Sequence, residues 1–206
     1  RNSATPGSNA ALTAAIRASA IPSVNHSNQM SSIMDELFAQ AARMAQAGIR
    51  RLLVVSGEAT WCEQQAAAFR HAASADVLWV GPAPVDAPSC LPSKLTTLLR
   101  REFQHAIFDA RNGFDVSAFA ALAGTLRAGS WMLLLVPEWQ NWRQQTDADS
   151  LRWSDVPEPI TTPNFVDHFC RTVAASSQTL VWRQGLPVPK QPEITRPDWQ
   201  RASGQP

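Results

Sequence analysis

Lysine is nearly missing: Lys94 and Lys190 are the only two in 206 residues. Tyrosine is absent, and the 9 glycines form no cluster. A phosphate cradle needs grouped glycines and a lysine, so that backbone amides and an ammonium surround the anion. Neither G-x-x-x-x-G-K-[ST] nor G-x-G-x-x-G occurs, and G-x-S-x-G, H-E-x-x-H and C-x-x-C are missing too. Nothing in the chain signals a nucleotide cradle, a hydrolase elbow, a zinc-protease helix or a paired-thiol site. Cys62, Cys90 and Cys170 are few and far apart, which fits reduced thiols in a cytoplasmic protein better than a disulfide framework. The longest apolar run is far too short to span a bilayer, so no membrane partner is expected. Net charge is +1 and the pI about 8. Any nucleic-acid contact must therefore come from a local patch.

What remains is a chain that can bury one core, with 45% hydrophobic and 17% charged residues. Its organising stretch is 102–137. His105 to Asp109 is a short apolar run closed by an acid, and Arg111-Asn112-Gly113 is a turn. Asp115 is placed to cap a helix, because its carboxylate can accept from amides one turn ahead. Phe114 and Phe119 flank that cap as a hydrophobic staple. Phe119, Leu122, Ala123 and Leu126 share a helical face, and Gly129 can end the helix. The run 130–136 then reads as a strand buried on both sides, stopped by Pro137. Strand, helix, strand is a parallel unit.

The same logic extends both ways. Residues 1–30 read as an unstructured leader, an added or mis-started piece with Met30 or Met34 as the natural start. An organelle transit peptide is the rival, disfavoured because only Arg1 and Arg17 are basic. The Ala11 to Ala20 piece could form a weak helix. Ser32 resembles the cap of a first helix with Ile33, Leu37, Ala41 and Met44 as its stripe, stopped at Gly48-Ile49. Leu52 to Val55 is the first strand. Thr60-Trp-Cys-Glu63 is a capping box for the next helix, and Val77 to Val80 the second strand. Pro82, Pro84, Pro88 and Pro92 make a loop. Ser93 caps a helix carrying Leu95, Leu98 and Leu99. Residues 138–163 hold at most one short helix. Thr162-Pro163 opens another helix, with Phe165, Phe169 and Val173 inward. Gln178 to Trp182 is a fifth strand. The expected fold is α/β: a three-layer, Rossmann-like sandwich over 31–184 with a mostly parallel five-stranded sheet, its order 2-1-3-4-5 in preference to 3-2-1-4-5. Residues 185–206 read as a Pro-rich linker out of the domain.

Ligands on parallel sheets usually sit at the carboxyl ends of the strands. There, Asp109, Arg111 and Asp115 could serve as acid, positioning cation and second acid. The commoner arrangement is a structural ion pair and a helix cap, and that is favoured. Glu58 and Glu138 could meet as paired carboxylates, against the favoured reading of two solvated loop acids. His105 reads as a packed imidazole, and His71 and His168 as solvated. The cysteines read as small core residues, although Cys62 lies in a first helical turn, where the dipole favours its thiolate.

Of the eight Trp, three fall in one polar loop: Trp139, Trp142, Arg143, Arg152 and Trp153 interleave rings and guanidiniums. Such a set can stack bases and pair phosphates. It can equally cover the core or dock a second domain, and the solubility cost of exposed aromatics favours docking.

The residues 48–58 (GIRRLLVVSGE), with Trp61-Cys62, resemble the start of the bacterial tRNA(Met) cytidine acetyltransferase family. So do 101–115 (REFQHAIFDARNGFD), 118–131 (AFAALAGTLRAGSW) and 147–155 (DADSLRWSD). The resemblance covers about 34–204. It implies an amino-terminal α/β domain followed by a helicase-like ATPase module, an acetyl-CoA-binding acetyltransferase domain and a tRNA-binding tail. Such enzymes acetylate the wobble cytidine of elongator tRNA(Met) with acetyl-CoA and ATP. This chain matches the first domain only, and the family's ATP and acetyl-CoA residues have no counterparts in it. No catalytic, cofactor-binding or metal residue is therefore carried over. The expectation is an accessory domain that docks on the helicase-like and acetyltransferase domains and helps hold tRNA. Its contacts would be the Trp139 to Trp153 loop and the pairs Arg50-Arg51 and Arg100-Arg101. Two other readings stand beside it. One is a small α/β enzyme acting through Asp109, Arg111 and Glu58. The other is a scaffold with Trp139 and Trp142 in a dry interface.

Overall fold

The computed structural model describes residues 23–74, 76–82, 88–97 and 103–194. The Ala11 to Ala20 piece, Pro84, Leu98, Leu99, Arg100 and Arg101 lie outside them, as do 195–206.

The chain opens with α1 (Ser23–Ala47), then β1 (Arg51–Ser56), α2 (Ala59–Ala72) and β2 (Val77–Val80). A two-residue strand β3 (Ser89–Cys90) and a 3-10 turn (Pro92–Thr97) lead to β4 (His105–Asp109). Next come α3 (Val116–Thr125) and β5 (Trp131–Val136). Short pieces follow: a 3-10 turn (Trp142–Gln144), β6 (Thr146–Asp147), a second 3-10 turn (Ala148–Arg152) and β7 (Ile160–Thr161). The last elements are α4 (Pro163–Ala175) and β8 (Leu180–Arg183).

The main sheet is parallel throughout and has six strands in the order β3-β2-β4-β5-β1-β8. The three-layer α/β sandwich is thus as expected, with two corrections. The sixth strand, β3, sits in the Pro-rich loop. The carbonyls of Pro88 and Cys90 accept from Trp79 N and Gly81 N at 2.9 and 2.8 Å. Proline lacks a donor but keeps its acceptor, so it serves at a sheet edge. The order among the five expected strands is 2-3-4-1-5, not either order considered. Periodicity tells which face of an element is buried but not which strand lies beside it.

Side chains alternate between two cores. Leu53, Val55, Trp79, Ile107, Leu133 and Leu135 face α1 and α2. Val54, Leu78, Val80, Phe108, Leu134 and Val136 face α3 and α4. Every residue of β5 is buried, which is why the run shows no alternation.

Several local signals act as read. Asp115 accepts from Ala118 N at 2.9 Å, and the Phe114 and Phe119 rings meet edge-on at 5.3 Å. Gly48 (φ 71°) closes α1, with Gly48 N bonded to Ala45 O and Ile49 N to Met44 O, a Schellman stop. Others differ. α1 begins at Ser23, so Ser32 lies inside the helix; the upstream turns carry too few apolar residues to show a period. α2 starts at Ala59 with Glu58 as its N-cap, and the Thr60–Glu63 box is not used. α3 ends at Thr125. Gly129 (φ 87°) instead turns the chain beneath α1, where an added Cβ would lie 2.9 Å from Ala41 O. The loop after β5 holds the antiparallel pair β6–β7 and two 3-10 turns in place of one short helix.

Candidate functional site

The connection leaving β1 crosses one face of the sheet through α2, while that leaving β5 crosses the other through α4. β1 and β5 are neighbours paired to their ends, so the connections leaving them diverge and leave the crevice typical of a topological switch point. A cavity of about 220 Å³ lies there, lined by Ser56, Gly57, Glu138, Trp139, Arg183 and Gln184, with Gln140 beside them.

The sequence builds this crevice closely. Ser56 Oγ donates to Pro137 O at 2.8 Å, tying the two strand ends together. Gly57 has no room for a side chain: an added Cβ would lie 2.6 Å from the Trp61 ring and 2.7 Å from Gln184 Oε1. Gln184 Oε1 accepts from Glu58 N at 2.8 Å and Gln184 N donates to Ser56 O at 2.9 Å. The amide oxygen of Gln184 thus occupies the turn leading into α2, where an anion would otherwise meet free N–H groups. On the other wall the Arg183 guanidinium lies over the Trp139 ring at 5.9 Å. Glu138 Oε2 accepts from Asn141 Nδ2 at 2.7 Å. Glu58 and Glu138 both lie on this side of the sheet and both are exposed; the Glu138 carboxylate is bonded to Asn141, and Glu58 is bonded to Gln184 through its backbone N–H.

Arg183 and Gln184 were missed by sequence reasoning. They follow the fifth strand directly, and applying the carboxyl-end rule to that strand as well would have found them.

Asp109 and Arg111 form the expected ion pair. Arg111 Nε and Nη2 donate to Asp109 Oδ1 and Oδ2 at 2.9 and 2.8 Å, a fork-on-fork contact. Arg111 Nη1 reaches Ala59 O at 2.8 Å and Glu63 Oε1 at 3.0 Å. The hydrogen bond to Asp109 holds the guanidinium well above its ordinary pKa. Glu63, not Glu58, is the second acid, so the proposed Asp109, Arg111 and Glu58 trio does not assemble. Asp115 is used as a cap.

Cys62 is fully buried and its Sγ lies 3.7 Å from Val55 O and from Gly57 O. Burial pushes the thiol up to about 11, so the thiolate favoured by its helical position does not form. His105 is buried, with Phe38 and Phe69 edge-on at 5.3 and 5.7 Å. Its Nδ1 accepts from Trp131 N at 3.0 Å, and burial pulls its pKa down to about 4.

The Trp and Arg set divides. Trp142 is buried within the domain, its ring 5.6 Å from Phe169 and 6.4 Å from Phe114, so it is core and not a dry interface between domains. Trp139 is half-buried above it at 6.2 Å. Arg143 pairs with Asp167 at 3.3 Å. Arg152 pairs with Asp149 at 3.0 Å and Asp115 at 3.5 Å. Trp153 stands 56% exposed. It lines a second cavity, about 440 Å³, with Val116, Asp147, Asp149 and Phe165. At the opposite end of the sheet Arg50 Nη1 donates to Leu126 O at 3.2 Å. Arg51 is only 4% exposed and donates to Pro192 O, Gln178 Oε1 and Glu193 O, which withdraws it from any surface contact. Among the described residues no three His, Cys, Asp or Glu side chains converge as a metal site, and no helix is long and apolar enough to cross a membrane.

Residues 27–184 match the family model described as tRNA(Met) cytidine acetyltransferase TmcA, N-terminal. The chain is 55% identical over 172 residues to a tRNA(Met) cytidine acetyltransferase TmcA of Citrobacter koseri, covering 84% of this chain and 26% of that protein. It is 52% identical over 175 residues to the protein of that name from Salmonella typhimurium, covering 85% and 26%. A more distant relative from Nitrosococcus halophilus is 32% identical over 149 residues. The chain thus spans about a quarter of the length of these relatives. It belongs to the family of TmcA amino-terminal domains.

Proposed function

We propose that this chain is the non-catalytic amino-terminal module of an enzyme that acetylates the wobble cytidine of elongator tRNA(Met). The acetyl-CoA and ATP of that reaction would be bound by the helicase-like and acetyltransferase domains, and the work done in the cytoplasm. The module's part is to dock on those domains and help hold the tRNA. The observation that carries this reading is Gln184. Its side chain fills the Gly57 turn and caps α2, so the position at which an α/β sheet would cradle a phosphate is already taken by the protein itself. Asp109 and Arg111, the other candidate chemistry at that edge, are spent on each other and on Glu63.

Docking is supported by Trp153, Val116, Leu151 and Val156, which are 56, 43, 49 and 47% exposed. The charges near Trp153 are Asp115, Asp147 and Asp149 against one arginine, a poor match for RNA phosphates and a better one for a protein surface.

The test is a titration of the chain with tRNA(Met) at several salt concentrations, beside assays for ATP hydrolysis and RNA acetylation. Salt-dependent binding without turnover is expected. Turnover by the clean chain would overturn the non-catalytic reading, and salt-independent or absent binding would remove the tRNA part.

A further inference from the structure

Arg183 differs from the other arginines at this end of the molecule. Arg111, Arg143 and Arg152 each face a carboxylate. Arg183 is half-buried, and among the described residues no acid lies within ion-pair distance of it; the Trp139 ring lies beneath it and its charge acts on the Cys170 thiol. A partly desolvated guanidinium with open donors calls for an anionic or acceptor-rich ligand. It stands at the rim of the switch-point cavity, where α/β sheets bind ligands.

The rest of the crevice defines that ligand. Trp139 supplies an indole flanked by Trp142 at 6.2 Å and covered in part by the Arg183 guanidinium at 5.9 Å, itself a flat plane on which a base can stack. Gln184, its Oε1 held by Glu58 N, and Gln140 line the space with two amides, and the Glu138 carboxylate, held by Asn141 Nδ2, lines it as well. A space of about 220 Å³ is the size of one flat ring with part of a sugar. Flat stacking surface, edge-reading amides and one open guanidinium are what unpaired nucleotides are bound by.

We infer that the crevice between β1 and β5 holds a single unpaired nucleotide of an RNA strand, its base against Trp139 and its phosphate on Arg183. This deepens the tRNA-holding reading and rests on it. The phosphate goes to Arg183 and not to the start of α2, because Gln184 already caps that end. The site also separates the two surfaces: RNA at Trp139 and Arg183, a protein partner at Trp153.

The experiment uses the full chain with a fluorescent single-stranded oligoribonucleotide of about eight nucleotides, a blunt-ended duplex of about eight G·C-rich base pairs, free cytidine and adenosine monophosphates, and tRNA(Met). The variants are Trp139→Leu, Trp139→Phe, Arg183→Gln and Arg183→Lys, with melting curves to check folding. Single-stranded RNA should bind better than duplex. Trp139→Leu and Arg183→Gln should each weaken it about tenfold, and Trp139→Phe should keep most of the binding. Arg183→Gln should reduce the slope of log K against log salt by about one, and Arg183→Lys should restore that slope. Unchanged affinity in well-folded Trp139→Leu and Arg183→Gln would overturn the site while leaving the tRNA role standing. Equal binding of duplex would also overturn it. Mononucleotides binding as tightly as the oligomer would overturn its assignment to RNA. Absence of binding to any RNA would remove the site and the tRNA role together.

Discussion

Arg51 Nη1 donates to the carbonyl of Pro192 at 3.0 Å, across 141 residues of chain. Arg51 opens β1 and Pro192 lies beyond β8, so residues 185–194 do not lead straight out of the domain. They return from the carboxyl end of β8 to the amino end of β1. There Arg51 also holds Glu193 O, and Ile194 packs on the core beside α1 and α2. Arg51→Met would leave two backbone carbonyls without their donor. The expected cost is about 2 kcal/mol, since each lost partner of a buried group costs roughly 1–3 kcal/mol and solvent can reach part of this strap. The strap should loosen before the sheet does. Limited trypsin digestion reads this directly, because Lys190 sits in the strap: cleavage there should rise in the variant while the sheet keeps its circular dichroism. Equal cleavage in both proteins would mean that Arg51 does not hold the strap.

The Asp109–Arg111 pair is structural, and its variants should behave accordingly. Asp109 exposes 4% of its side chain and Arg111 13%. Arg111→Leu strands a buried carboxylate, at an expected cost of about 3–5 kcal/mol. Glu63 exposes 59% of its side chain, so Glu63→Gln should cost under about 1 kcal/mol. Urea melts of the two variants check the contrast. Similar losses for both would mean that the pair to Asp109 carries no special weight.

The elements legible in the sequence were those whose signal is local. Asp115, the Phe114 staple, the Gly48-Ile49 stop and Pro163 each act within one helical turn, and each stands as read. The misplaced features depend on distant partners. Glu63 looked like half of a capping box but turns to Arg111, 48 residues away. Arg51 looked like a surface cation paired with Arg50, yet its ligands lie beyond β8. Strand order depends on which helices share a face, and no short window carries that. The crevice was partly legible: Glu58, Glu138 and Trp139 were marked, but Arg183 and Gln184 reach it only because β8 lies beside β1.

Cys62 should be the last thiol to react. It is fully buried, whereas Cys90 and Cys170 are half-buried. Burial pushes both Cys62 and Cys170 up to about 11, so at pH 8 about one thiol in a thousand is ionised at either; access alone separates them, and Cys170 should label slowly. Titration with a coloured disulfide reagent at pH 8 should label two thiols in the native chain and the third only in denaturant. Fast labelling of Cys62, located by peptide mapping, would contradict the burial that closes the β1–α2 turn.

His105 gives the fold a specific weakness to acid. Its imidazole is neutral, since Nδ1 accepts from Trp131 N and the ring lies among Phe38, Phe69 and the sheet. Its folded pKa is about 4, against 6.5 for the exposed group. In that window the unfolded chain takes up a proton that the folded chain refuses. The stability tied to the neutral ring is therefore fully present above pH 6.5 and is lost as pH falls toward 4. The shift corresponds to about 3 kcal/mol at most. His105→Phe removes the titration but orphans the Trp131 amide, a cost of about 1–3 kcal/mol that does not vary with pH. At pH 7.5 the variant should therefore be the weaker protein. Between pH 6.5 and 4 the natural chain should lose stability faster than the variant, and the gap should close or reverse. Urea unfolding at pH 7.5, 6, 5 and 4 measures that gap. If it stays constant across the series, the imidazole is reached by solvent in the folded state, and the acid loss belongs to the carboxylates alone.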